Sequence, residues 1–183
     1  QESGISTFRD TNGLWNNHKI EEVASPEGFE KNPQLVFDFY NARRKQLDEV
    51  EPNAAHHLIA QLETKYSVTV ITQNIDDLHE RAGSTNVLHL HGELRKCRSS
   101  KNPNLIYDCN QDIKLGDLAS DGNQLRPHIV WFGEAVTEIE KAIAITQSAD
   151  LFVIVGTSMV VHPAASLLLA VPFDAQTVYI DTN

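Results

Sequence analysis

A chain of 183 residues, 41% hydrophobic and 22% charged, can bury one sizeable core, or a core with a small insert. Its formal net charge of -10 argues against nucleic acid or an anionic membrane as a partner, and no apolar run approaches the roughly 20 residues of a membrane span. Two cysteines, Cys97 and Cys109, are too few for a disulfide framework and fit a reducing compartment; a monomer in the cytoplasm is the default expectation.

Residues 1–17 read as a polar, glycine-containing loop. Asn32-Pro33 starts a helix, a cap residue followed by proline at the first helical position, with Leu35, Val36, Phe39, Tyr40, Arg43 and Leu47 at helical spacing. Pro52-Asn53 opens a second helix that should bury Leu58, Ile59 and Leu62. A strand over 65–72 is followed by a helix from Asp76 to Ala82, closed by Gly83, and by a short strand over 87–90. Residues 93–125 are rich in Asn, Asp, Ser, Gly and Lys and read as a small inserted subdomain. Pro127 to Phe132 returns as a strand. Glu138 to Gln147 is a helix with Ile139, Ala142 and Ile143 inward. Leu151 to Val155 reads as a fully buried strand of a parallel sheet, Pro163 to Ala170 as a helix and Thr177 to Ile180 as a last strand. Both ends read as cut inside a domain. The alternation predicts an α/β protein with a doubly wound, Rossmann-like parallel sheet. Residues 1–92 and 126–183 would form the main domain, with a helical insert at about 32–64, and 93–125 the small one.

Ligands of open α/β sheets bind beyond the carboxyl ends of the strands. Three such ends are loaded with polar groups: Gln73-Asn74-Ile75-Asp76, His91-Gly92 and Gly156-Thr157-Ser158. Singly, each has an ordinary structural role. Asn and Asp cap helices, a histidine at a strand end is more often structural than catalytic, and Gly-Ser turns are common. Together they suggest one site, in which a neutral His91 serves as base and Asn74 orders a water. His89 is expected to point to the opposite face from His91. Tyr40 and Arg43 lie one helical turn apart and suit a carboxylate, although a surface arginine beside a core-edge tyrosine is the plainer reading.

Taken together, these segments resemble the sirtuins, NAD-dependent protein-lysine deacylases, over nearly the whole chain. Gly4-Ile5-Ser6-Thr7-Phe8-Arg9 is similar to the second half of the family's cofactor loop, and Gln73-Asn74-Ile75-Asp76 to its most specific motif. His91 resembles the catalytic histidine. Val130-Trp131-Phe132-Gly133-Glu134 resembles the loop that pairs with the substrate peptide. Gly156, Thr157 and Ser158, with Val161 and Pro163, resemble the second cofactor loop, and Asn183 the start of the adenosine-binding turn. Tyr40-Asn41-Ala42-Arg43 resembles the Tyr-x-x-Arg pair of class III members, which take succinyl and malonyl groups; bacterial members also remove acetyl.

The resemblance implies NAD as cofactor and acyl-lysine proteins or peptides as substrates. Asp76 and Ile75 would hold the nicotinamide carboxamide, Gln73 and Asn74 ribose and water, and His91 would act as base on the ribose. Nicotinamide and O-acyl-ADP-ribose would be the products. An ADP-ribosyltransferase or NAD glycohydrolase, and a non-catalytic NAD-binding fragment, remain alternatives. Two departures stand out. The family usually binds a structural zinc through two Cys-x-x-Cys pairs, whereas Cys97 and Cys109 belong to no such pair, so no metal is expected. The small subdomain should then rely on packing of Leu94, Leu105, Ile106, Tyr107, Ile113, Leu115 and Leu118. The family's first strand and Gly-Ala-Gly turn, and the segment after Asn183, are not in this sequence, and their loss should expose sheet edges.

Overall fold

The computed structural model describes residues 3–5, 14–15, 18–157 and 162–181. In chain order the elements are β1 (Leu14–Trp15), β2 (His18–Lys19), α1 (Ile20–Val23), α2 (Pro26–Lys31), α3 (Pro33–Gln46), α4 (Ala54–Leu62), β3 (Val70–Thr72), α5 (Leu78–Arg81) and β4 (Val87–His89). They continue with β5 (Gly92–Ser99), β6 (Ile106–Asp108), β7 (Leu125–Ile129), α6 (Ile139–Thr146), β8 (Leu151–Val155), a 3-10 helix (Ala164–Ala170) and β9 (Gln176–Ile180).

Helix α3 is the spine on which both parts of the molecule pack. Asn32 accepts the Leu35 N–H at 3.1 Å and Pro33 occupies the first turn, where its missing N–H costs nothing. Arg43, Arg44 and Lys45 fill the last turn, where the helix dipole favours positive charge. One side of α3 delivers Val36, Phe39 and Tyr40 to a core shared with Val23, Leu47, Val50, Leu78, Leu94, Ile129 and Trp131. Another delivers Phe37 to a second cluster with Cys97, Cys109 and Ile113.

Two parallel strand pairs carry the site. Strand β3 pairs with β4 in the register Val70↔Val87 to Thr72↔His89, and β8 pairs with β9 in the register Leu151↔Gln176 to Val155↔Ile180. Among the described residues these are separate two-stranded sheets. Beneath them Leu88, Leu90, Ala142, Ala164 and Leu167 pack with Ile71, Ile139, Ile143 and Phe152. The third sheet is antiparallel, ordered β6-β5-β7, with an irregularity between Gly92 and Cys97.

Several expectations need correction. Strand β8 is not buried on both faces: Ile154 is 7% exposed, but Leu151, Val153 and Val155 are 51%, 42% and 42% exposed. Side chains alternate along a strand, and α6 with the 3-10 helix covers one face only. Helix α4 leaves Leu58 and Leu62 exposed and turns His56 and Ala60 toward α5, where the rings of His56 and His79 lie 4.7 Å apart and Ala60 sits beside Gly83. The strand expected over 65–72 forms only at Val70–Thr72, the helix over 76–82 only at Leu78–Arg81, and the helix over 163–170 is a 3-10 helix.

The small sheet has only part of the apolar packing expected of it: Ile113 and Tyr107 join the cluster of Phe37, Cys97 and Cys109. Ile106, Leu115 and Leu118 are largely exposed, and Leu94 belongs to the main core. The segment is instead fastened to α3. Asn41 donates Nδ2–H to the Ile113 carbonyl and accepts the Ile113 N–H, both at 2.9 Å. Buried Arg44 donates to the carbonyls of Leu94 at 2.9 Å and Gln111 at 3.2 Å, and to Asn41 Oδ1 at 2.9 Å. A segment this short cannot exclude water alone, so it borrows a helix face.

Candidate active site

The end of β3 is shaped by its own backbone. Thr72 Oγ1 accepts the Asn74 N–H at 3.1 Å, turning the chain away from the sheet. Gln73 then sits between two other strand ends. Its carbonyl accepts from His91 Nδ1 at 3.0 Å, and its Nε2 donates to Thr157 Oγ1 at 3.3 Å. The 73–76, 91–92 and 156–157 segments thus converge on one place. The Leu94 N–H donates to the Ile75 carbonyl at 2.7 Å, which fixes the peptide at this turn. The Asn74 side chain is exposed.

His91 is held by a single carbonyl contact. A carbonyl oxygen only accepts, so the contact with Gln73 places the ring proton on Nδ1 and the lone pair on Nε2. Burial lowers its pKa below the usual histidine value, and the Gln73 contact offsets this only in part. His89 has the opposite environment. Its Nδ1 bonds the Asn74 carbonyl at 3.0 Å and its Nε2 bonds Glu80 Oε1 at 2.8 Å. Burial disfavours its charged form, but the hydrogen bonds to Glu80 and Asn74 outweigh burial and raise its pKa. Two histidines two residues apart are thereby driven in opposite directions. The expectation of His89 on the opposite face from His91 is not met, and both rings reach the 73–74 segment: β4 ends at His89, so strand alternation does not extend to His91.

Asp76 has its pKa raised by burial, against the opposing Leu78 N–H and the fields of His56 and His89. Gly156 has φ 59°, donates to the Ile180 carbonyl at 3.0 Å, and has nothing within 4 Å of where a Cβ would sit. The backbone is therefore open to close approach. Gly4 is exposed and Ile5 packs against the main core. Phe8, Arg9, Ser158 and Asn183 lie outside the described residues.

Tyr40 and Arg43 are not at the surface: they are 0% and 7% exposed. Tyr40 Oη accepts from Trp131 Nε1 at 3.0 Å, and the Arg43 guanidinium lies 5.6 Å from the Phe39 ring centroid. The 130–134 loop joins this pair to the base. The Val130 N–H donates to the His91 carbonyl at 2.9 Å, and the Phe132 N–H to the Ala24 carbonyl at 3.0 Å. Phe132 and Gly133 are exposed. The Glu134 carboxylate turns inward, accepting from Arg126 at 2.6 and 3.0 Å, from Arg98 at 3.2 Å and from the Trp131 N–H at 2.8 Å. Its side chain buttresses the loop. Arg98, Glu80 and the structural role of His89 carried no local sequence signal, because their partners are up to 36 residues away.

The four-sulfur zinc of the resembling family does not fit these residues. Cys97 and Cys109 are both unbridged and buried beside Phe37 and Ile113. Among the described residues no group of three or more His, Cys, Asp or Glu is placed to hold a metal ion. No helix among them is long and apolar enough to cross a membrane.

Comparison with known proteins agrees with this geometry. The Sir2 family model matches residues 1–163. A Helicobacter pylori (strain ATCC 700392 / 26695) protein named NAD-dependent protein deacylase is 60% identical over 180 residues, covering 98% of this chain and 79% of that protein. A protein of the same name from Bacteroides thetaiotaomicron is 58% identical, covering 98% of this chain and 80% of that one. Among solved structures, a Sir2 homologue in complex with NAD superposes with a TM-score of 0.87 at 41% identity, covering 100% of this chain and 73% of that one. A Sir2 protein bound to acetylated peptide superposes with a TM-score of 0.77 at 32% identity, covering 89% of this chain and 72% of that one. The convergence of the three strand ends on Gln73, the family match and these identities lead to one conclusion: this chain belongs to the Sir2 family.

Proposed function

We propose that the chain is an NAD-dependent protein-lysine deacylase that removes acidic acyl groups, succinyl or malonyl, as well as acetyl. The observation that carries the reading is the contact of His91 Nδ1 with the carbonyl of Gln73, the residue that also reaches Thr157: it puts the proton on Nδ1 and leaves Nε2 an acceptor. NAD would supply an anomeric carbon made electrophilic by loss of nicotinamide. Residues 1–92 and 126–183 form the unit that binds it, with 93–125 as the small subdomain. The Ile75 N–H and the Asp76 carboxyl hold the carboxamide. Gln73, Asn74, Gly156 and Thr157 line the ribose and phosphate side, joined in this role by Gly4, Ile5, Phe8, Arg9, Ser158 and Asn183. His91 Nε2 takes the proton of a ribose hydroxyl, and Asn74 positions water. The backbone of the Gly133-Glu134 region pairs with the substrate peptide, and Val130, Trp131 and Phe132 shape that loop. Tyr40 and Arg43 grip the distal carboxylate of the acyl group. Positioning and fixed dipoles supply most of the effect.

The test is mass spectrometry of succinyl-lysine and acetyl-lysine peptides incubated with the protein, with and without NAD. NAD-dependent loss of both acyl groups, with O-acyl-ADP-ribose as co-product, is expected. Free ADP-ribose or ADP-ribosylated protein as the only product would overturn the deacylase reading. Arg43→Met should lower desuccinylation far more than deacetylation, and equal loss would remove the acidic-acyl assignment.

A further inference from the structure

Helix α3 and the loop after β7 meet at one buried polar contact. Trp131 Nε1 donates to Tyr40 Oη at 3.0 Å, and the two side chains are 2% and 0% exposed. An indole N–H donates and does not accept. The phenol oxygen is therefore the acceptor in this contact, and the phenol proton must point away from the indole. The indole thus dictates the direction in which Tyr40 acts as a donor.

Trp131 is itself held from several sides. The Arg126 guanidinium carbon lies 3.3 Å from its ring centroid, and the Phe29 ring lies 5.4 Å away. Its backbone N–H donates to Glu134 Oε2 at 2.8 Å, and Glu134 is gripped by Arg126 and Arg98. Bidentate pairing with Arg126 at 2.6 and 3.0 Å fixes the carboxylate plane, so indole, guanidinium and carboxylate form one rigid unit. A hydrogen bond set by a packed ring is directional in a way that a solvated one is not.

We infer that Trp131 is a specificity-determining positioning residue: its indole N–H orients the Tyr40 hydroxyl proton toward the distal carboxylate of an acidic acyl group, and the Arg126–Glu134 unit keeps the indole in place. The inference rests on the acidic-acyl reading given above. A succinyl or malonyl group presents a carboxylate to the oriented proton. An acetyl group has none, so the same orientation does nothing for it. The effect is therefore on the choice of acyl group and not on the chemistry at the ribose.

Trp131→Phe keeps an aromatic ring for Arg126 and Phe29 to pack on and deletes the N–H together with the fused pyrrole ring, a loss of packing that weighs on both substrates alike and so leaves their ratio to report the N–H. Steady-state kinetics with succinyl-lysine and acetyl-lysine peptides should show the succinyl-to-acetyl ratio of kcat/KM falling about tenfold, the value of one hydrogen bond to a charged group, with the loss in the KM of the succinyl peptide. Tyr40→Phe reads the same interaction from the other partner and should give a similar fall. In the double variant the Trp131 change should add nothing further. Proportional loss of both activities, an unchanged ratio, or additive losses in the double variant would overturn the inference, since a merely structural tryptophan predicts those results. Arg43→Met in the same assay separates the two levels. If it leaves the ratio unchanged, the acidic-acyl reading fails and the inference with it. If it lowers the ratio while Trp131→Phe does not, only the positioning role fails.

Discussion

Gly92 is the point at which the fold and His91, the proposed base, are tied together, and replacing it with alanine tests that link. Its φ is +83°, a left-handed conformation that side chains disfavour. A Cβ added there would drive into the His128 carbonyl oxygen, and would lie 2.9 Å from the carbonyl carbon and 3.1 Å from Ile129 Cα. These atoms belong to β7, which pairs with β5 at Gly92↔Ile129, so they cannot swing away as a flexible side chain does. The left-handed conformation costs about 1 kcal/mol with a Cβ present. Overpacking against backbone adds about 1–3 kcal/mol. Parting the strands weakens the bond from the Val130 N–H to the His91 carbonyl, worth about 1 kcal/mol. The sum, about 3–5 kcal/mol, is a large fraction of a typical domain stability of about 5–15 kcal/mol. Gly116→Ala is the internal control: φ is +97° but nothing lies within 4 Å of its Cβ position, so only the conformational part, about 1 kcal/mol, should appear. Urea unfolding followed by tryptophan fluorescence measures both. Equal shifts of the two midpoints would show that the β5–β7 contact is not where the cost arises and refute the reasoning. Gly92→Ala should also lose deacylation out of proportion to its folded fraction, because His91 precedes the displaced residue.

Arg44→Met should destabilise the protein by about 2–3 kcal/mol, since two buried acceptors, the Leu94 carbonyl and Asn41 Oδ1, and the Gln111 carbonyl lose a charged donor. Amide hydrogen exchange in β5 and β7 should accelerate selectively, and unchanged protection there would show that the small sheet is not anchored through α3. The pH dependence of kcat/KM follows from His91. The neutral ring is the active form and burial lowers its pKa, so activity persists as pH falls through the ordinary histidine range and is lost only on passing the lowered value. An acid limb with its midpoint above the ordinary value of about 6.5 would exclude His91 as the base.

The local sequence determined a good deal. Asn32-Pro33 followed by apolar residues at helical spacing specifies α3, because caps and periodicity act within a few residues. Apolar runs ending in Gln73-Asn74-Ile75-Asp76, His91-Gly92 and Gly156-Thr157 announce strand ends carrying polar groups, and the general rule for α/β sheets locates a site there. Burial was less legible. Leu58, Leu62 and Leu151 carry the apolar signal of core residues, yet whether another element covers them is a property of the assembled layers. Only the tertiary structure brought Gln73 to Thr157, set Tyr40 against Trp131 and gave His89 and His91 contrary environments. Those contacts span 84, 91, 15 and 18 residues. Propensity and periodicity describe one turn or one strand at a time, whereas a proton's position or a ring's pKa depends on whichever distant groups the packing places within hydrogen-bond reach.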